Sequence, residues 1–84
     1  MTIQELYAAV SPVAEQVLQI PHFDNATTML STASWDSLAH VRLLSALERK
    51  FSIEISGDDA FKLTSAAKLV GYLHAQLGGK EARR

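Results

Sequence analysis

The chain has 84 residues, with 8 Lys and Arg against 9 Asp and Glu, a formal net charge of −1, and 48% apolar residues. That balance fits one small folded domain and excludes a disordered chain, and the length leaves no room for a multidomain enzyme with its own cleft. Zero Cys removes disulfides and thiolate metal sites, and the three scattered His (His22, His40, His74) lack metal-ligand spacing. No apolar run is long enough for a membrane span, and MTIQELYAAV has neither the basic start nor the cleavage-like end of a signal peptide. A cytoplasmic monomer is expected.

Charge is distributed unevenly. Residues 1–36 hold Glu5, Glu15, Asp24 and Asp36 with no Lys or Arg, whereas residues 37–84 hold all 8 cations against 5 carboxylates. Neither half has the dense basic stripe of a nucleic-acid binder, so no nucleic-acid partner is expected. Residues 1–79 read as the single domain. Lys80, Arg83 and Arg84 fall in a solvated basic tail over 80–84.

In chain order, the first element is a helix over residues 2–19. Thr2 and Glu5 have capping-box spacing, and Ile3, Leu6, Val10, Val13, Val17 and Ile20 form its apolar stripe. Pro12 removes one intrahelical donor, so the pattern predicts a kinked helix, or a restart capped by Ser11. Residues 21–36 are rich in Ser, Thr, Asn and Asp and form a long loop, with Phe23, Met29, Leu30 and Trp35 expected to pin it to the bundle.

A second helix is predicted over 37–51 with Asp36 as its N-cap. On a helical wheel His40, Leu43, Leu44, Leu47 and Phe51 share the core face, while Leu38 and Val41 fall off it, beside Ser37, Arg42, Ser45 and Arg49. SIEIS, residues 52–56, alternates like a strand but has no partner strand, so it reads as an extended connector. Residues 57–62 form a short helical turn. The last helix, over 65–77, is capped by Thr64 or Ser65, buries Ala66, Leu69, Val70, Leu73 and Leu77, and closes at Gly78-Gly79. The fold class is all-α, a small bundle of three main helices and one short one.

The chemistry concentrates at Trp35-Asp36-Ser37-Leu38. A serine in the first turn of a helix lies where free amides and the helix dipole favour an anion, so a phosphate ester on Ser37 would sit in a favourable field. Asp36 can cap the helix and also offer a carboxylate to a metal ion brought by a modifying enzyme. Taken alone, an Asp-Ser pair reads as plain N-capping, because such pairs start very many helices. His40 lies on the edge of the core stripe, about 60° round the wheel from Ser37, and reads as a residue at the mouth of the bundle rather than a general base. Trp35 reads as packing the loop end. No catalytic residue is assigned.

The stretch WDSLAHVRLLSALERKFSIEIS resembles the phosphopantetheine-attachment region of the acyl carrier protein family. Agreement covers Asp36-Ser37-Leu38, Ala46-Leu47-Glu48 with Phe51, the Ile53-Glu54-Ile55 connector, Asp58-Asp59 and Phe61-Lys62-Leu63-Thr64. The resemblance implies an acyl-carrier-like bundle with 4′-phosphopantetheine bound covalently to Ser37, with Asp36 supporting the modification. It implies, as partners, a phosphopantetheinyl transferase and the enzymes that load and transfer acyl groups. Leu38, Val41, Arg42 and Arg49 are then the docking surface. With no acidic excess on the second helix, a dedicated pathway is expected in place of bulk fatty-acid synthesis. An aminoacyl or peptidyl carrier, and an unmodified helical interaction module, are the alternatives.

Overall fold

A computed structural model describes the backbone of residues 1–82 and the side chains of residues 1–78. Four helices follow one another: α1 (Ile3–Leu18), α2 (Ser37–Phe51), α3 (Gly57–Ala60) and α4 (Ala66–Ala82). Among the described residues there is no strand, only one isolated antiparallel bridge between Thr28 and Ser65. The helical bundle expected from the sequence is the fold observed.

α1 starts at the predicted capping box. Thr2 Oγ1 accepts from the Glu5 amide at 3.0 Å, and Glu5 Oε1 accepts from the Thr2 amide at 2.7 Å. The Thr2 amide, then the Thr2 hydroxyl, hold the Glu5 carboxyl below its ordinary range. Its contribution to α1 is therefore present above the unfolded pKa and fades as pH falls through the lower folded value. α1 runs as one continuous element across Pro12, as the single-helix reading expects, and no restart occurs there. Ser11 is not a cap there: its hydroxyl donates to the Phe23 carbonyl at 2.9 Å.

The buried row of α1 is Leu6, Val10, Ala14 and Leu18, not the stripe expected from the large apolar residues. Ile3 is exposed, and Val13, Val17 and Ile20 are half-buried flanks. The reason lies in packing, because α1 rests against both α2 and α4. A helix with two neighbours buries a central ridge at every fourth residue, and that ridge includes a small residue that hydropathy undervalues. These side chains join Leu43, Leu44 and Leu47 of α2, Leu63, and Ala66, Leu69, Val70 and Leu73 of α4 in one core.

α1 and α2 end alike. Gln19 and Ser52 adopt left-handed backbone at φ 58° and 56°, and each of these amides bonds back to a glutamate carbonyl, Glu15 or Glu48. The amides of Ile20 and Ile53 share the same two carbonyls at 3.1 Å. A side chain at such a position costs about 1 kcal/mol relative to glycine. Gln19→Gly is therefore expected to raise stability by up to about 1 kcal/mol, less the bond its side chain makes to the Gln16 carbonyl. Chemical denaturation checks the sign.

The loop over 19–36 is built from short reciprocal bonds. Asp24 and Thr27 exchange bonds, as do Thr28 and Ser31. The Glu15 carboxylate accepts from the Phe23 amide at 3.0 Å, so α1 holds both backbone groups of Phe23. Farther along, the Met29 amide donates to the Thr64 carbonyl, and the Thr27 carbonyl accepts from the Ala66 amide at the start of α4. Phe23 and Trp35 are buried and Met29 is half-buried, as anchoring requires, but Leu30 is fully exposed at 102% and anchors nothing.

Ser65 caps α4 through its hydroxyl to the Lys68 amide. The expected stop at Gly78-Gly79 does not occur, and α4 runs on to Ala82. Glycine ends a helix when it supplies a left-handed turn, and no described glycine has positive φ. The expected tail over 80–84 lies outside the described side chains.

Candidate functional site

The junction of the long loop and α2 is fixed by its cap. Asp36 is extended, with φ −98° and ψ −174°, and its Oδ1 accepts from the Ala39 amide at 2.9 Å. Its carbonyl accepts from the His40 amide at 2.8 Å, closing the first turn. Oδ1 thus caps the helix, and Oδ2 makes no hydrogen bond to the described residues. Ser37 is the first residue of α2. It is exposed, and its hydroxyl has no partner among the described residues.

Beside Ser37 lies a partly open cavity of about 360 Å³. Its α2 wall is His40, Val41 and Leu44, Met29 and Thr64 contribute from the loops, and Gly57, Ala60 and Phe61 close the α3 side. Among the described residues, no charged side chain lines it. Phe61 is 84% exposed and stands at the rim.

Trp35 and His40 brace this entrance. Trp35 is 2% exposed, packed between the rings of Phe23 and His40 at centroid distances of 6.0 and 5.9 Å. Its indole Nε1–H donates to His40 Nδ1 at 3.0 Å, so that ring nitrogen is an acceptor. The proton of the neutral ring then sits on Nε2, which donates to the Ala60 carbonyl at 2.9 Å. Both nitrogens are thereby engaged and neither serves Ser37. On the far side of α3, the Tyr72 hydroxyl donates to Asp59 Oδ2 at 3.1 Å. Burial first, and then this bond, push the Tyr72 hydroxyl above its ordinary pKa.

The remaining residues singled out from the sequence are all exposed. Leu38 is 61% and Val41 62% exposed, and Arg42 and Arg49 face solvent. Only Val41 joins Ser37 in lining the cavity. Arg49 is 12 positions farther along the same helix, a rise of about 18 Å, beside Ser45, Glu48, Ile53 and Glu54. The four residues therefore form a long face of α2 rather than a cluster at the serine. Sequence reasoning missed the α3 wall. Gly57, Ala60 and Phe61 carry no periodic signal in so short an element, and the Tyr72–Asp59 pair spans 13 residues.

Such a site offers a free hydroxyl at a helix start, a spare carboxylate oxygen next to it and an apolar recess alongside. The phosphopantetheine attachment site family matches residues 2–73. Among curated proteins, an acyl carrier protein of Buchnera aphidicola subsp. Schizaphis graminum (strain Sg) is 42% identical over 50 residues. That match covers 60% of this chain and spans 63% of the relative's length.

Proposed function

Because the chain belongs to the phosphopantetheine-attachment family, we propose that it is an acyl carrier protein with its arm esterified to Ser37. Membership implies a covalently attached 4′-phosphopantetheine, which supplies a thiol to a chain that has no Cys of its own. The observation that carries the reading is the Ser37 hydroxyl: exposed, unpartnered, at the start of α2 and at the mouth of an apolar cavity. Asp36 supports the modification with the carboxylate oxygen its capping bond leaves free. The amides of Ser37 and Leu38 lie in the first turn, where an anion is favoured.

An acyl cargo fits the recess better than an aminoacyl one. A cavity of about 150 Å³ lined by aliphatics accommodates benzene, so this one has room for several methylenes. A charged amine would lose its water against a lining with no charged side chain to replace it. The test is intact mass after incubation with coenzyme A and a phosphopantetheinyl transferase. A gain of one phosphopantetheine supports a carrier, and no gain with several active transferases supports an unmodified interaction module.

The partners are enzymes of a dedicated pathway. From Asp36 to Phe51 there are three cations, Arg42, Arg49 and Lys50, against Asp36 and Glu48. A partner surface of Lys and Arg would meet like charge there, which opposes encounter and docking. Low turnover of the loaded protein by a general fatty-acid ketosynthase is expected, improved in Arg42→Glu/Arg49→Glu and less sensitive to charge as salt rises. Good turnover of the unaltered protein, with no gain on charge reversal, contradicts this part of the reading.

A further inference from the structure

The wall formed by α3 is tied down lightly, with Ala60 half-buried against the core as its apolar contact. The helix has four residues and none of them is buried. Its own bonds are local: the Ser56 hydroxyl caps the Asp59 amide, and the Ala60 and Lys62 amides bond to the carbonyls of Ser56 and Asp59. On either side the chain is fixed more firmly. The Ile55 amide donates to Glu48 Oε2 at 2.7 Å, and beyond α3 Leu63 is buried while the Thr64 carbonyl accepts from the Met29 amide. Between those anchors, two hydrogen bonds join residues 56–62 to the other described elements. One is His40 Nε2–H to the Ala60 carbonyl from α2, and the other is the Tyr72 hydroxyl to Asp59 from α4.

We infer that His40 and Tyr72 are positioning residues that hold α3 closed over the cavity and so limit the length of acyl chain it accepts. This rests on the reading that Ser37 carries the acylated arm. Three of the cavity-lining residues, Gly57, Ala60 and Phe61, lie within the suspended segment. An outward shift of that segment therefore enlarges the cavity without moving the core of α1, α2 and α4. His40 carries a second duty, because its acceptor nitrogen also satisfies the buried Trp35 indole. The Trp35 side chain, the loop end and α3 are thus coupled through one imidazole.

The experiment uses the full chain, loaded at Ser37 with butyryl, octanoyl or dodecanoyl groups, beside the unacylated arm. Melting temperature and amide hydrogen exchange are read for the unaltered protein, Tyr72→Phe, His40→Leu and His40→Gln. In the unaltered protein, stabilisation is expected to rise from butyryl to octanoyl and to fall for dodecanoyl. In Tyr72→Phe and His40→Leu the dodecanoyl form becomes the most stabilised, and exchange quickens over 57–63 while α1 and α4 keep their protection. His40→Gln, which retains a donor for the Ala60 carbonyl, restores the original order. Tyr72→Phe removes only a hydroxyl and carries the test alone should His40→Leu not fold. Loading with an unchanged chain-length order in every variant overturns the inference and leaves the carrier function standing. Absence of any loading at Ser37 overturns both.

Discussion

Ser37→Ala is expected to fold normally and to accept no phosphopantetheine. The substitution removes the one hydroxyl that is both exposed at the start of α2 and unpartnered among the described residues. The helix start does not depend on it, because the Asp36 carboxylate caps the Ala39 amide and the Asp36 carbonyl accepts from His40. Alanine also has the higher helix propensity, so stability should change by no more than about 1 kcal/mol. Circular dichroism and thermal melting read the fold, and intact mass after treatment with coenzyme A and a transferase reads the loading. A cooperative transition lost in Ser37→Ala would make the serine structural. Full loading of the variant would place the arm elsewhere.

Leu47→Ala has the largest expected effect on stability. Leu47 is completely buried on the inner face of α2, within the core shared with α1 and α4. Truncation removes its transfer free energy and leaves a cavity, a cost of about 2–5 kcal/mol. A domain of this size has in total about 4–13 kcal/mol, so much of the margin is lost. The melting temperature should fall by roughly 10 °C or more. An unchanged value would mean that α2 turns a different face inward.

Much of this architecture is local and was therefore legible in the chain. The capping box at Thr2 and Glu5, the Asp36 cap, the inner face of α2 and the buried positions of α4 each follow from spacing within one or two turns. Ser37 stands out only through the resemblance of the whole stretch around it, because an Asp-Ser pair by itself reads as a helix cap. What escaped depends on neighbours. Ala14 is buried because α1 serves two partner helices at once, and Ser11 and Glu15 grip Phe23 because the loop folds back over them. Pro12 is tolerated because a continuous buried row on both sides outweighs one missing donor. The roles of His40 and Tyr72 need α3 in place, and four residues with no buried member leave no periodicity to read. Leu30 shows the reverse error: hydropathy predicts an anchor where the chain turns outward.

Site-resolved mass spectrometry of the loaded protein shows whether Ser37 is where the arm is attached. After treatment with coenzyme A and a transferase, fragmentation should place a single phosphopantetheine on Ser37. The neighbouring hydroxyls of Ser31, Thr32, Ser34 and Ser45 should stay unmodified. A phosphopantetheine on any of those, or several transferases that load a control carrier but leave this chain untouched, would contradict attachment at Ser37.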